Sequence, residues 1–305
     1  MMKIKHILLV GIISILVYSC GDDGPVSTID PNFDHAAQSV IDNDSLVKFF
    51  KNHYYDLDTD LVKPMEDGKT PLSEDPNLKT QDVVETINGN DIDFKLYAYV
   101  RDEGTSSKGN PTVVDSVLVN YSGRKILDTE RISPTQFDVN INTWFVLGSG
   151  VIRGWTYGMT NFKGGVNASV PNGPLTYSGT GKGVLFIPSG LAYRNEGILT
   201  GGILPNDILM FYVEMNDIVE NTDGDVDGIP SILEDLDGDG KPWNDDTDGD
   251  GLPNFADTDD DGDLILTRNE DTMIEDNNPL NDFSDPDNPT LPDYLNPDIR
   301  KSKDN

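Results

Sequence analysis

The chain has very few of the residues that many exported proteins and enzymes use for cross-linking or nucleophilic chemistry. Its 305 residues include one cysteine, Cys20, and three histidines. Disulfide bonds within the chain are therefore excluded, and beyond residue 20 there is no thiol nucleophile. The folded protein must be held together by its apolar core and by any metal ions that it binds.

Positive charge is also scarce. Against 22 lysines and arginines the chain has 54 aspartates and glutamates, a net charge of -32. This balance argues against a nucleic acid partner, because phosphates are bound mainly by lysine and arginine. The excess is concentrated in residues 219–305, with 27 acidic and 5 basic residues. Such a segment is either a disordered tail or is neutralised by bound cations.

The apolar run near the start, residues 7–18, is too short to cross a bilayer as a helix. It follows Lys3 and Lys5, an arrangement typical of a signal-peptide core. The run ends in "LVYSC", which resembles the lipobox of bacterial lipoproteins. That resemblance implies cleavage after residue 19, acylation of Cys20, and a lipid-anchored protein of the bacterial cell envelope. The acidic stretch "CGDD" resembles the start of surface-exposed lipoproteins, which predicts the outer membrane, on its periplasmic or its surface face. The alternative is an ordinary secretory signal with an incidental cysteine.

The segment after the cysteine divides into a tether and a helical region. Residues 20–34 are polar and contain prolines, which predicts an extended tether. The stretch "DNDSLVKFFKNHYY" predicts a helix capped by Asp44 or Ser45. One face of this helix would carry Leu46, Phe49, Phe50 and His53.

The middle of the chain has the pattern of an antiparallel sheet. Residues 60–90 are predicted to be loop-rich. Alternating apolar residues predict strands over 91–104 and 112–123. Short strands then alternate with glycine and proline turns as far as residue 218, around one brief helical stretch near 154–162. The pattern indicates an α+β fold, without the alternation of strands and helices that parallel sheets require.

Four stretches in this region, read in order, resemble one known family. They are "VLVNYSG", "FDVNINTWFVLGSGVIRGWTYGM", "IPSGLAY" and "ILPNDILMFYVEMNDI". Together they are similar to FKBP-type peptidyl-prolyl cis-trans isomerase domains, over residues 112–218. The resemblance implies a bent antiparallel β-sheet wrapped over one short helix. Residues 35–111 form a preceding helix and strand segment.

The resemblance also implies an apolar active site without acid, base or cofactor. Trp155 matches the indole on which the proline ring rests, and Val151 and Ile152 match the adjacent wall, with the Ile152 N–H donating to a substrate carbonyl. Asp138 matches the pocket carboxylate. The full set of implied pocket residues is Tyr121, Phe137, Asp138, Val151, Ile152, Trp155, Tyr193, Ile203 and Phe211. The alternative is that these residues are only core residues of the same fold.

Three departures from the family pattern bear on this site. The link from Asp138 to Gly148 is shorter than in typical members, so Asp128 is kept as a second candidate for the carboxylate. Arg194 stands where the family has glycine. An insertion at 164–183 predicts either a flap that shapes substrate choice or a longer hairpin.

Two functional hypotheses follow. The first is an envelope-anchored isomerase or folding helper whose partners are proline-containing polypeptides and, through Cys20, the lipid bilayer. The second is a non-enzymatic binding or surface protein that keeps the fold and uses the acidic extension as a stalk.

The acidic extension, residues 219–271, repeats a short pattern four times. Acidic residues stand first, third, fifth and twelfth, with glycine sixth in three copies and Leu264 sixth in the fourth. This is the ligand spacing of Ca²⁺ loops, in which glycine allows the sharp turn. The arrangement resembles thrombospondin type 3 repeats and predicts structural Ca²⁺ and little regular secondary structure. The alternative is a solvated acidic linker.

The predicted ligands fall into four loops, with Asp246 shared by two of them. They are Asp223, Asp225, Asp227 and Glu234; Asp235, Asp237, Asp239 and Asp246; Asp246, Asp248, Asp250 and Asp257; and Asp259, Asp261, Asp263 and Glu270. The remaining residues, 272–305, are rich in proline, asparagine and aspartate, which predicts a largely extended or disordered tail.

Overall fold

A computed structural model describes residues 30–198, 201–273 and 278–303. The predicted signal peptide, Cys20 and the first part of the tether lie outside the described residues. Within the described ranges, no helix combines the length and the apolar character needed to cross a bilayer.

The described helices and strands alternate irregularly along the chain. They are α1 His35–Lys51, β1 His53–Asp56, β2 Leu61–Pro64, β3 Leu78–Ile87, β4 Asn90–Asp102, β5 Ser116–Ile126, β6 Asp138–Val146, α2 Arg153–Gly158, β7 Val166–Asn167, β8 Tyr177–Ser178, β9 Gly181–Ile187 and β10 Ile208–Val219. After β10 the described residues contain only short 3-10 turns.

The main sheet has six strands in the order β3-β4-β9-β10-β5-β6, and each neighbouring pair is antiparallel. Short helix α2 packs on one face of this sheet, against Ile187 and Leu185 of β9. The predicted α+β class, an antiparallel sheet around a short helix, is therefore confirmed, and so are the strand at 91–104 and the brief helix near 154–162.

The two faces of the sheet contribute to two apolar cores, because successive side chains of a strand point to opposite sides. In β9, Leu185 and Ile187 join the core around α2, while Val184 and Phe186 join the opposite core. In β10, Leu209, Phe211 and Val213 likewise alternate with Ile208 and Met210. Central strands that are buried on both sides read as nearly continuous apolar runs, as "GVLFI" does.

Helix α1 covers the opposite face of the sheet, away from α2. Its residues Leu46, Phe49 and Phe50 are buried there, as the sequence predicted. The rings of Phe49 and Phe50 contact Phe186 of β9, with centroids 6.1 and 4.9 Å away. The segment before the isomerase-like region is thus a structural layer of the same domain.

The predicted start of α1 was wrong. The helix begins at His35, with Asp34 as the N-cap that accepts a hydrogen bond from the Ala37 N–H. The polar residues before Asp44 are inside the helix because distant groups satisfy them: the Ser189 N–H and hydroxyl both donate to Asp42, each at 2.7 Å. His53 was also misplaced, since it lies in β1, buried and stacked on Phe49 with ring centroids 3.8 Å apart.

The prediction of a loop-rich segment at 60–90 missed strand β3, which pairs with β4 along its whole length. β3 is an edge strand whose inward positions are Val83, Glu85 and Ile87. The buried glutamate interrupts the apolar alternation, and it is tolerated because the Tyr157 hydroxyl donates to it at 2.6 Å. Since β3 and β4 belong to the main sheet, that sheet crosses the predicted boundary at residue 112.

The insertion at 164–183 is a hairpin formed by β7 and β8, followed by the start of β9. It is held against the far end of β10, where the Gly165 N–H donates to the Asn216 carbonyl at 2.9 Å and the Tyr177 hydroxyl donates to Asp217 at 3.3 Å. These contacts favour the longer hairpin over the flap.

The described residues of the acidic extension and the tail, 220–273 and 278–303, form a single packed module. Its 3-10 turns follow one another at 231–234, 242–244, 254–256, 267–269, 279–281 and 293–295. The expectation of an extended or disordered tail was wrong for its described residues. Tyr294 is buried, and the Lys303 N–H donates to the Asn269 carbonyl at 2.8 Å. Repeated turns bring apolar side chains such as Tyr294 and Phe255 inward, which composition alone does not indicate.

Candidate functional site

A cavity of about 290 Å³ opens on the α2 side of the sheet. Strands β5, β6 and β10 contribute one side of the cavity. The start of α2 and the loop before it contribute the other side and, through Trp155, the floor. Its lining residues are Tyr121, Phe137, Asp138, Phe145, Gly150, Val151, Ile152, Trp155, Tyr193 and Phe211.

The base of the cavity is a cluster of aromatic rings around Trp155, which is 4 % exposed. Tyr121, Phe145 and Phe211 each meet the indole edge to face, with ring centroids 4.9, 5.4 and 5.4 Å away. This is a favoured geometry for aromatic pairs. The rings hold one another in place, so the cavity is preformed and its floor is apolar.

The polar side chains that line the cavity are Tyr121, Asp138 and Tyr193. The Tyr121 hydroxyl donates to Asp138 at 2.7 Å and accepts from the Asn140 amide at 2.6 Å. Burial, together with the nearby Asp138 carboxylate, raises the pKa of Tyr121 to about 12. Burial raises the pKa of Tyr193 as well, and Asp138 adds to that effect. Both phenols are therefore neutral donors at physiological pH.

Close packing of α2 on β9 positions the other side. A Cβ atom on Gly154 would lie 2.3 Å from Ile187, and one on Gly158 would lie 2.8 Å from Leu185. Only glycine at these positions lets the helix approach the strand so closely. Ile152 precedes the helix as its N-cap, and its carbonyl accepts from the Trp155 N–H at 2.8 Å. The Ile152 N–H has no hydrogen-bond acceptor among the described residues.

Most of the sequence-predicted pocket residues meet at this cavity. Tyr121, Phe137, Asp138, Val151, Ile152, Trp155, Tyr193 and Phe211 all line it. Ile203 does not, because its backbone pairs with Ile198 and its side chain is buried in the adjacent core. Asp138 begins β6 and reaches the cavity despite the short link. The second candidate, Asp128, lies outside the cavity, paired with Arg131 at 2.6 Å.

Two lining residues were missed by the sequence interpretation, Phe145 and Gly150. Phe145 lies in β6, in the quoted stretch "NTWFVLG", and the neighbouring Trp144 is the exposed member of the pair. Strand alternation was an available signal, but a register shift between β5 and β6 after Val119 obscures which aromatic points inward. Arg194, the departure from glycine, adopts a φ of 53° and does not line the cavity.

Replacing Gly123 with alanine should narrow this cavity. A Cβ atom there would lie 2.6 Å from the Phe137 ring and 2.8 Å from the Phe211 ring. Overpacking of this kind costs about 1–3 kcal/mol of stability. The displaced rings should also weaken ligand binding in the cavity. The affinity should fall about tenfold for each 1.4 kcal/mol of binding free energy that is lost. Thermal unfolding and titration with a proline-containing peptide would measure both effects.

The matched control is Ser122→Ala, one residue away in the same strand. By strand alternation, its side chain lies on the opposite face. Equal effects of the two substitutions on peptide binding would contradict the assigned role of the Gly123 position.

The acidic module brings carboxylates together in four groups, each with ligand atoms within 4.8 Å of one another. The groups are Asp225, Asp227, Glu234 and Asp260; Asp235, Asp237 and Asp239; Asp246, Asp248 and Asp250; and Asp259, Asp261 and Asp263. Three predicted ligands, Asp223, Asp257 and Glu270, lie outside these groups. Asp260 was not predicted as a ligand at all, and it joins residues of the first loop.

Many of these carboxylates are buried without hydrogen-bond partners among the described residues. Both oxygens of Asp225, Glu234, Asp260 and Glu270 are in this state. Burial and neighbouring aspartates raise the pKa of Asp225 to about 8, of Asp260 to about 9 and of Glu234 to about 10. Buried, unpaired acids are costly, and a bound divalent cation would remove that cost. The donor set, oxygen only, fits Ca²⁺.

The sixth position of every loop turns sharply, as the spacing requires. Gly228, Gly240 and Gly251 have φ values of 105°, 83° and 99°. Leu264 occupies the same position in the fourth loop and adopts a φ of 81°. The backbone of the fourth loop therefore makes the same turn as the other three loops. A leucine in this conformation is strained.

The acidic module contacts the segment that carries the cavity wall. The Trp243 ring stacks on the Arg153 guanidinium, 3.8 Å from the ring centroid. Phe255 is buried beside Gly148, where an added Cβ would lie 3.4 Å from its ring. The Thr222 N–H donates to Asp115 at 3.1 Å. The two parts of the chain thus share an interface next to residues 147–155.

Comparison with known proteins finds similarity in both regions. A sequence model of the FKBP-type peptidyl-prolyl cis-trans isomerase family matches residues 107–216, and a model described as BamM C-terminal matches residues 224–291. The FKBP-type isomerase FkpA of Escherichia coli K12 is 35% identical over 114 residues, which is 35% of this chain and 33% of FkpA. The chain thus aligns with about a third of the length of the curated relatives that it matches.

Solved structures that match part of this chain include two bacterial isomerases. A peptidyl-prolyl isomerase from Pseudomonas syringae is 21% identical, with 63% of this chain and all of that one covered, at a TM-score of 0.36. The crystal structure of FkpA from Escherichia coli is 31% identical, with 45% of this chain and 52% of that one covered, at a TM-score of 0.31. The family match at 107–216 identifies an FKBP-type domain in this chain.

Proposed function

We propose, from the FKBP-type domain at residues 107–216, that this protein is a peptidyl-prolyl cis-trans isomerase of the bacterial envelope. The observation that carries the proposal is the preformed apolar cavity around Trp155, lined by Tyr121, Phe145 and Phe211. Its substrates would be proline-containing segments of polypeptides, which explains why the cavity needs no thiol or histidine.

The chemistry requires rotation about one amide bond and no bond cleavage. The barrier is about 18–20 kcal/mol, and the uncatalysed reaction takes roughly tens to hundreds of seconds. Amide resonance is lost at the twisted transition state, so the carbonyl is less polar there than in the planar ground state. An apolar cavity that excludes water therefore favours the transition state over the ground state.

The lining residues divide into roles on this basis. Trp155 would support the proline ring, and Val151 and Ile152 would exclude water from one side. The Ile152 N–H, which has no acceptor among the described residues, would bind a carbonyl of the substrate. Asp138 keeps the Tyr121 hydroxyl oriented at the cavity edge.

The acidic module would bind structural Ca²⁺ at its four carboxylate groups. The buried oxygens without hydrogen-bond partners support this part of the proposal. Acylation of Cys20 would attach the protein to the outer membrane, with the tether between lipid and domain. The alternative, a non-enzymatic binding protein, predicts the same fold and the same module.

An isomerisation assay on the full-length chain tests the proposed activity. We expect a proline-containing peptide to interconvert faster in the presence of the protein than in its absence, in proportion to protein concentration. The control is the same protein after thermal unfolding. If the folded protein gives no acceleration over background, the proposed isomerase activity is refuted and the non-enzymatic binding role is favoured.

A further inference from the structure

We infer that one Ca²⁺ is bound between the first and the fourth acidic loops, by Asp225, Asp227, Glu234 and Asp260. The inference rests on the Ca²⁺ binding proposed above and changes its geometry. A tandem array read from sequence gives each loop its own ion. Here one ion would join two loops whose ligands are 26 residues apart, Glu234 and Asp260.

The first step of the argument is convergence. One oxygen from each of the four carboxylates lies within 4.8 Å of the other three. Two ligands on opposite sides of a Ca²⁺ ion are about 4.6–5.2 Å apart, since each Ca–O distance is about 2.3–2.6 Å. The four groups therefore have the spacing of one coordination sphere.

The second step is burial without compensation. Glu234 is 0 % exposed and Asp260 is 1 % exposed. Neither oxygen of either carboxylate has a hydrogen-bond partner among the described residues. Surface acidic clusters are solvated, whereas these two side chains are withdrawn from water and face like charges. A divalent cation at their centre would balance this arrangement of like charges.

The third step explains why Asp260 leaves its own loop. Asp259, Asp261 and Asp263 form the fourth group, around a tight turn in which the Gly262 N–H donates to the Asp259 carbonyl at 3.0 Å. Asp260 lies within this turn, yet its carboxylate groups with those of the first loop. Its N–H donates to the Thr267 hydroxyl at 3.2 Å, which fixes this orientation. The second position is Gly224, Leu236 and Thr247 in the other loops, so the fourth loop alone can make this bridge.

The chemistry of the donor set selects the ion. All four side chains offer hard oxygen ligands, and none offers nitrogen or sulfur, which argues against zinc and copper. Mg²⁺ keeps several waters and requires near-ideal octahedral geometry. A dry group of four carboxylates suits the larger and more flexible coordination sphere of Ca²⁺.

The bridge has a structural consequence. The first loop is tied to the isomerase domain, because the Thr222 N–H just before it donates to Asp115. An ion that joins Asp260 to that loop fastens the fourth loop to the same anchor. The module would thus be a closed unit held against the domain. It would not be the extended stalk that the second hypothesis assumes.

Counting bound ions tests the inference. We expect native mass spectrometry of the full-length chain, at a Ca²⁺ concentration that just saturates it, to show one ion fewer for Asp260→Asn. The double variant Asp227→Asn/Asp260→Asn should lose that same single ion. Asp250→Asn/Asp260→Asn should lose two, since Asp250 belongs to another group. The control Asp298→Asn, an exposed acid of the same module, should lose none.

Two results would overturn the inference. One is an unchanged ion count and affinity for Asp260→Asn; the other is loss of two ions from Asp227→Asn/Asp260→Asn. If Asp260→Asn does not fold, as judged by near-ultraviolet circular dichroism, Glu234→Gln removes the same ion from the first loop. Wild-type protein that binds no Ca²⁺ would defeat the proposed metal binding itself, which distinguishes the two failures.

Discussion

Replacing Trp155 with leucine should reduce kcat/KM for prolyl isomerisation by about 10-fold to 70-fold. The indole forms the floor of the cavity and contacts three other rings. Losing about 50–100 Å² of apolar contact with the proline ring, at about 25 cal/mol per Å², removes about 1.3–2.5 kcal/mol. The ring contact is present in both the ground state and the transition state, so its loss should raise KM. Entry of water beside the twisted amide should in addition lower kcat.

The chain offers a matched control in Trp144→Leu. Trp144 is 47 % exposed on the same stretch of sequence and does not line the cavity. Its replacement should leave kcat/KM nearly unchanged. Trp155→Phe should fall between wild type and Trp155→Leu, because it retains an aromatic floor of smaller area.

The fold of each variant must be checked, since truncating a buried aromatic costs about 3–5 kcal/mol when alanine replaces it. Leucine fills more of the space and should cost less. A folded Trp155→Leu protein with unchanged kcat/KM would refute the assigned site. Loss of isomerisation with full biological function would favour the binding hypothesis.

Removing Ca²⁺ should unfold or expand the acidic module while the six-stranded sheet remains folded. Each ion held at a concentration 100 times its Kd contributes about 2.7 kcal/mol of stability. For a unit of this size, that corresponds to roughly 10–20 °C in Tm. Without cations, the grouped carboxylates repel one another and the buried ones are unsolvated.

Differential scanning calorimetry with a chelator, and then with excess Ca²⁺, would measure the effect. Small-angle X-ray scattering would report the expansion. Mg²⁺ at the same concentration is the control, and it should restore less of the transition. High salt should recover only part of the stability, because screening acts on exposed charges more than on buried ones. A single transition, unchanged by chelation, would contradict structural Ca²⁺ in this module.

The contact between the acidic module and the FKBP-type domain connects these two experiments, because it lies next to the wall of the cavity. Trp243 stacks on Arg153, directly before the helix that carries Trp155. Phe255 packs beside Gly148, in the loop that leads to Val151. Measuring isomerisation with and without chelator on the Trp155 variants would therefore show whether the wall keeps its shape when the module expands.

The sequence by itself determined the local and periodic features. Strand alternation predicted β4, and the ordered FKBP-like stretches predicted eight of the ten residues that line the cavity. Phe145 and Gly150 were missed, and Ile203 was predicted but does not line it. Spacing also indicated four acidic loops, three of them with a glycine turn at the sixth position; that Leu264 makes the same turn in the fourth loop is seen only in the structure. Such features depend on residues close together in the chain, whose relation is set by backbone geometry and ligand spacing.

Only the tertiary structure decided the features that depend on distant partners. The true start of α1 was hidden because Ser189 satisfies Asp42, and β3 was hidden because Tyr157 satisfies Glu85. Asp260 does not occupy a ligand position of the repeat in its own loop, and only the tertiary structure places it beside the carboxylates of the first loop. Buried polar residues whose hydrogen-bond partners are far away in sequence have the pattern of loop or surface residues. The local periodicity of the sequence contains no information about those partners.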